Sequence, residues 1–300
     1  MTKTDLDAIR NEYPFTPKAI DMDGHLLGYL DEGPKDAPAI LMLHGNPTWS
    51  FYYRKLILAL RDRYRIIVPD HIGCGLSDKP QDYDYTLSNH IANLSRLVKS
   101  LGVTSVSLVV HDWGGAIGFG WAVENPEKVR SITIFNTAAF RSSKIPFRIW
   151  VCRAPLFGDV AVRGLNGFLG SAVKLAMATN KRDRFTHEVA AGYMAPYGSW
   201  EDRIAIHRFV QDIPLSAADV SYERLTRIEV GLAKFKEKTP CQIIWGMKDF
   251  CFTESYLERW LDFLPQAQVH KFQDAGHFVV EDAHERIIPL MESFLGSLSR

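Results

Sequence analysis

The run Val109-Val110-His111-Asp112-Trp113-Gly114-Gly115 ends an apolar stretch on a carboxylate and follows it with two glycines. A strand that turns at once into a helix lifts one side chain clear of the sheet edge, and the free N–H groups at the new helix's start can hold an anion. Asp112 takes that position, where many such turns carry serine, and Val110 stands where a glycine is usual. Asp is also a preferred N-cap, so a plain helix cap explains this motif by itself equally well. Unlike serine, an aspartate nucleophile needs no base, being ionised at neutral pH. A carboxylate is a weak nucleophile, suited to displacing a good leaving group from sp³ carbon. The product is an ester on the enzyme, and its hydrolysis takes a base to activate water and a carboxylate to orient that base.

Both follow in the chain. His277 lies in Asp274-Ala275-Gly276-His277-Phe278, between an expected last strand and last helix. Asp249 lies in Trp245-Gly246-Met247-Lys248-Asp249, just past the preceding strand. Nucleophile, acid and histidine in this order form the α/β-hydrolase triad, and with all three present the cap reading of Asp112 loses most of its ground. The rival position for the acid follows the strand Val129–Phe135, where the sequence has Asn136-Thr137, and neither Asp262 nor Asp274 directly follows an expected strand. Upstream, His44-Gly45-Asn46-Pro47 is a post-strand loop of the kind that supplies an oxyanion-hole N–H, so the backbone N–H groups of Asn46 and Trp113 are expected to hold an oxyanion. The Asn46 amide and the Trp113 indole N–H add two neutral donors for a leaving anion. The alternatives are loop packing for Asn46 and core filling for Trp113. Asp70 and Asp78 are expected to brace their loop.

Positioning these groups takes a sheet. Ala39–Leu43, Arg65–Val68, Ser105–Val110, Val129–Phe135, Gln242–Trp245 and Val269–Phe272 are apolar runs of strand length, separated by helical patterns such as Leu87, Ile91, Leu94 and Val98 on one face. Continuous Val/Ile/Leu strands alternating with helices predict an α/β fold, with a mostly parallel sheet covered on both faces. The rhythm stops between about Ala138 and Ile213, which predicts a core from 1–137 and 214–300 with a helical lid inserted at 138–213. Within that lid Trp150, Phe157, Phe168, Leu169, Met177 and Met194 are the candidates for choosing substrate, on apolarity alone.

Hydrophobic residues make up 46% of the 300, and 35 basic residues balance 35 acidic ones, so no global field recruits nucleic acid or an anionic membrane and a small, uncharged ligand is expected. Cys74, Cys152, Cys241 and Cys251 form no C-x-x-C pair and are expected as free thiols in a reducing compartment. No stretch approaches the roughly 20 apolar residues of a membrane span, and the first residues form no apolar signal core, so a soluble cytoplasmic protein is expected. The ten histidines show no ligand-like clustering and no cofactor motif is present, so no metal and no cofactor are expected.

Three motifs together, His44-Gly45-Asn46-Pro47-Thr48-Trp49-Ser50, Asp70-His71-Ile72-Gly73-Cys74-Gly75-Leu76-Ser77-Asp78-Lys79-Pro80 and Val110-His111-Asp112-Trp113-Gly114-Gly115, resemble the haloalkane dehalogenases across nearly the whole chain outside the lid. The resemblance implies that Asp112 displaces halide, that Asn46 and Trp113 hold the leaving anion, and that His277, oriented by Asp249, activates water on the alkyl-enzyme ester. Asn136-Thr137-Ala138-Ala139-Phe140, Ala195-Pro196-Tyr197 and Gln211-Asp212-Ile213-Pro214-Leu215 are similar to the third subfamily, which includes the β-lactone decarboxylases of bacterial olefin synthesis. It therefore implies hydrolytic dehalogenation first and β-lactone decarboxylation as the alternative, on a small apolar substrate. It also implies a homo-oligomer or assembly with other olefin-pathway enzymes. An epoxide hydrolase would protonate its opening oxygen with lid tyrosines, here Tyr193 and Tyr197, but resembles His-Gly-aromatic-Pro where this chain has Asn46. A fluoroacetate dehalogenase would have Arg in place of Trp113, and a serine esterase lacks its elbow serine here. An inactive binding protein on this fold usually loses a triad member, and none is missing.

Overall fold

The computed structural model describes residues 3–143, 145–154, 158–164, 177–178 and 183–298. The apolar runs form the inner strands of an eight-stranded sheet: β1 (Lys18–Asp21), β2 (Leu26–Glu32), β3 (Ala39–Leu43), β4 (Arg65–Pro69), β5 (Val106–Asp112), β6 (Val129–Thr137), β7 (Cys241–Gly246) and β8 (Gln268–Phe272). Their order is β1-β2-β4-β3-β5-β6-β7-β8, with every pair from β4 through β8 parallel. β1 and β2 form an antiparallel hairpin, and β2 runs antiparallel to β4. Sequence reasoning missed this hairpin, because Leu26–Glu32 alternates poorly. Its signal was Asp23-Gly24, which takes positive φ at both residues of the turn, as a two-residue hairpin turn requires.

Every residue of β5 and of β7 is buried, which explains why those strands are mostly apolar rather than alternating between apolar and polar positions. The pleat still divides them. Leu41, Leu43, Leu108 and Val110 face one core with the helices Leu87–Ser100, Tyr222–Gly231 and Glu254–Phe263. Ile40, Met42 and Val109 face the other, with the helices Arg54–Leu60 and Val279–Ser297. Each of these side chains contributes about 1.5–3 kcal/mol by leaving water.

Between β6 and Tyr222 the described residues form short helices and no strand: Phe147–Cys152, Asp159–Gly164, His187–Met194, Glu201–Arg203 and Ile204–Gln211. They are tied to the sheet's carboxyl edge by directed contacts. The Trp49 indole donates to Gly192 O at 3.1 Å, and the Tyr193 hydroxyl donates to Glu281 at 2.9 Å. Glu281 also receives both arms of the buried Arg54 guanidinium, at 2.7 and 2.8 Å. No described helix is long and apolar enough to cross a membrane.

Candidate active site

Asp112 closes β5 with φ 51 and ψ −126, and the helix Trp113–Ala122 begins at the next residue. A non-glycine residue is strained there by about 1–3 kcal/mol. The bend is held by close packing: a Cβ on Gly114 would run into the Leu43 carbonyl, and one on Gly45 into the Asp112 carboxylate itself. The Asp112 side chain makes no capping hydrogen bond to its helix. Its Oδ1 instead accepts from the backbone N–H of Asn46 at 2.6 Å, and the Trp113 N–H also favours its ionised form. Burial pulls the other way and leaves the carboxyl above its usual range. Asp70 and Asp78 brace the loop after β4 that carries them, Asp70 accepting from the N–H groups of Leu76 and Ser50, and Asp78 from that of Leu26.

His277 comes to Asp112 from the loop after β8. Its Nδ1 lies 2.8 Å from Asp249 Oδ2, and its Nε2 lies 3.7 Å from Asp112 Oδ2. The first is a hydrogen bond that selects the Nδ1–H tautomer; the second is too long for one and leaves Nε2 to meet a third party. Asp249 Oδ1 accepts from the Cys251 N–H at 2.6 Å, and His111 Nε2 lies 2.9 Å from the His277 carbonyl, which fixes the loop. Burial alone would lower the affinity of His277 for a proton, but the carboxylates of Asp249 and Asp112 outweigh it and hold the imidazole above its ordinary value. A base must be neutral to act. Any reaction that needs His277 as a base is therefore expected to fall off on the acid side at a pH above the usual imidazole value of about 6.5. Asp249→Asn should move that acid limb to lower pH and reduce the plateau, as read from a pH–rate profile of halide release; an unmoved limb would assign it to another group.

The residue at the rival acid position, Asn136, is buried and does a different job. Its amide donates to Gly246 O at 3.0 Å and accepts from Gly246 N at 2.8 Å, joining β6 to the end of β7. A carboxylate could not make both bonds.

Asp112, Trp113, Asn46 and His277 all border one cavity of about 140 Å³. The Asn46 Nδ2 donates to the carbonyl of Ile206, on the helix Ile204–Gln211, at 3.0 Å. That bond uses one amide hydrogen and leaves the second. The indole N–H of Trp113 has no protein acceptor among the described residues, while its ring packs against Phe209 at 5.2 Å. Two neutral donors therefore face an apolar chamber beside the Asp112 carboxyl group. Among the described residues no group of three or more His, Cys, Asp or Glu side chains is arranged to hold a metal.

The rest of the wall differs from the sequence-based expectation. Trp150 and Met194 are exposed, and Met177 is buried in the core away from the cavity. Phe157, Phe168 and Leu169 lie outside the described residues. The chamber is lined instead by Phe140, Ile145, Pro146 and Ile149 after β6, by Val210, Ile213, Pro214 and Leu225, and by Phe250, Phe252 and Tyr256 after Asp249. The signal for the last group was its place directly behind Asp249, the expected acid. Tyr193 and Tyr197 are buried, and neither lines the cavity. The Tyr193 hydroxyl is engaged by Glu281 and that of Tyr197 by Gly75 N at 3.3 Å, so neither is placed to protonate an epoxide oxygen.

A family model described as the alpha/beta hydrolase fold matches residues 38–283. The chain belongs to this family and, within it, to the haloalkane dehalogenase group that includes the β-lactone decarboxylases. It is 44% identical to a cis-3-alkyl-4-alkyloxetan-2-one decarboxylase of Shewanella oneidensis, over 94% of this chain and 89% of that protein. The same activity is named for a Xanthomonas campestris relative, 44% identical over 94% of this chain and 97% of its own length. A Mycobacterium tuberculosis protein named haloalkane dehalogenase 2 is 32% identical over 92% of this chain and 93% of its own. The crystal structure of an ancestral haloalkane dehalogenase superposes with a TM-score of 0.85 at 25% identity, covering 94% of this chain and 99% of that one. This chain is thus an enzyme of the dehalogenase or β-lactone decarboxylase type.

Proposed function

We propose that this enzyme decarboxylates cis-3,4-dialkyl-oxetan-2-ones, with Asp112 as nucleophile and 138–213 as the lid over the site. The observation that carries the reading is the 44% identity to two proteins named for that activity, against 32% to a named dehalogenase. The geometry supplies a mechanism. An Asp112 oxygen bonds to ring C4 as the C4–O1 bond breaks, and O1 becomes part of a free carboxylate received by the N–H groups of Trp113 and Asn46. The C2–C3 bond then breaks, its electron pair forms the C3=C4 double bond, and the C4–oxygen bond to Asp112 breaks. CO₂ and an alkene leave, and the Asp112 carboxylate is restored without water. Inversion at C4 followed by anti elimination turns a cis lactone into a cis alkene.

Dehalogenation uses the first half of the same scheme, with halide as the leaving anion. The 3.7 Å between His277 Nε2 and Asp112 Oδ2 favours it as a second activity, because a water directed at the ester carbonyl needs a base standing off the carboxylate. The two readings are separated by assaying a cis-dialkyl β-lactone and 1-bromobutane in parallel, with alkene and bromide as the readouts. Alkene formation in excess is expected; bromide release without alkene would overturn the decarboxylase assignment.

Trp113→Phe keeps the packing on Phe209 and removes one donor. It is expected to slow ring opening or carbon–halogen cleavage by about 1–3 kcal/mol, the scale for a hydrogen bond to a charged group. Single-turnover rates equal to those of the parent enzyme would remove Trp113 from the anion site.

A further inference from the structure

Positive charge in this chain is segregated. Its 35 basic and 35 acidic residues cancel overall, yet residues 141–182 hold eight Lys or Arg and a single acidic residue, Asp159. Arg141, Arg153 and Arg163 of this stretch pair with Glu229, Asp219 and Asp159. Arg148 stands exposed on the helix Phe147–Cys152 without an ion pair among the described residues. That helix is apolar on both sides. Ile149, with Ile145 and Pro146 just before it, lines the active-site cavity. On the opposite side Phe147 and Trp150 are 75% and 57% exposed, their rings stacked at a centroid distance of 6.0 Å. The adjoining turn Asp159–Gly164 adds Val160, 55% exposed.

Exposed apolar side chains gathered in one patch mark a contact surface. Phe and Trp interleaved with Arg is the composition that settles at the boundary between lipid headgroups and acyl chains. The Arg148 guanidinium beside these rings, in a stretch whose sequence is richer in basic than acidic residues, is drawn to anionic headgroups over a Debye length without requiring a global field. We infer that Phe147, Arg148, Trp150 and Val160 form a docking surface for an anionic lipid bilayer, with Phe147 and Trp150 in the headgroup boundary. Ile149, one residue away, then places the catalytic chamber directly behind the membrane-facing side chains. An apolar dialkyl lactone and its alkene product partition into the acyl layer, so this surface would let them move between lipid and cavity without crossing water. That passage rests on the proposed activity; the docking does not.

The test is flotation of the full chain with vesicles, in the absence of any substrate. Phosphatidylcholine vesicles are compared with vesicles that also contain phosphatidylglycerol, at low and high salt. Binding is expected to favour the anionic vesicles by about tenfold at low salt and to fall steeply at about 0.5 M salt. The pair Phe147→Ser and Trp150→Ser, and separately Arg148→Glu, should each cut the bound fraction about fivefold or more. Turnover of detergent-solubilised lactone or bromobutane by these variants should stay within about twofold of the parent, showing that they fold. No flotation with anionic vesicles at low salt, or flotation that both variants leave intact, overturns the inference. A patch that instead captures another protein would give the first of these results. Because flotation needs no turnover, its failure leaves the activity assignment to be judged by the alkene assay.

Discussion

His277→Gln is expected to stop bromobutane turnover after one equivalent of bromide and to leave an alkyl group esterified to Asp112, visible as a single mass increment on the intact protein. In the proposed scheme the imidazole has no part in the displacement itself, since the attacking group is a carboxylate that needs no base. It is placed to act on the ester afterwards, with Nε2 3.7 Å from Asp112 Oδ2 and Nδ1 held at 2.8 Å by Asp249. Removing a positioned general base costs about 10²–10⁴-fold in the step it serves, enough to make hydrolysis slower than alkylation. The same variant should retain most of its lactone turnover, because the elimination that releases CO₂ returns the electron pair to Asp112 and consumes no water. A burst of bromide with unchanged protein mass would end the covalent scheme. Loss of both reactions together would mean that His277 has a role in ring opening and that the two halves share more than the nucleophile.

Asp112→Gly should abolish bromide and alkene production together, a loss of about 10⁴-fold or more, while raising thermal stability. The stability gain has two sources. The backbone at φ 51 and ψ −126 is strained for aspartate and permitted for glycine. The carboxyl's folded-state pKa is raised by burial, so its ionisation in the native state costs stability. The cost is absent below the ordinary aspartate value of about 4 and grows as the pH rises towards the raised folded value, above which it is complete. Against this stands the entropy of an added glycine, about 0.5–1 kcal/mol. Water entering from the cavity can take up the freed Asn46 N–H. The net expectation is about 1–2 kcal/mol of added stability, given strain of about 1–3 kcal/mol. Thermal denaturation of the folded, inactive variant measures it, and a lowered melting temperature would show that the hydrogen bond from Asn46 outweighs the strain.

That Asp112, Asp249, His277, Asn46 and Trp113 belong together was legible in the sequence, each because a local rule speaks for it, and the structure gathers them in one place. A strand ending on Asp with glycines behind it, a carboxylate just past the next-to-last strand and a Gly-His after the last one are short patterns set by turn geometry. The parallel core was legible for the same reason, since buried strands such as β5 and β7 have no solvent-facing side to break up their apolar runs. What the tertiary structure alone decided is the wall of the chamber and the placement of the described residues between β6 and Tyr222. Met177 and Ile149 have similar apolarity, yet one packs into the core and the other lines the cavity. Trp150, next to Ile149 in the chain, is exposed. Apolarity states that a side chain prefers to leave water, not which neighbour it meets, and short helices joined by loops carry too little periodicity to settle the direction. The orientation of the Asn46 amide is of the same kind. It depends on the Ile206 carbonyl, 160 residues along the chain, and a contact over that separation exists only once the sheet and the helices above it have closed on each other.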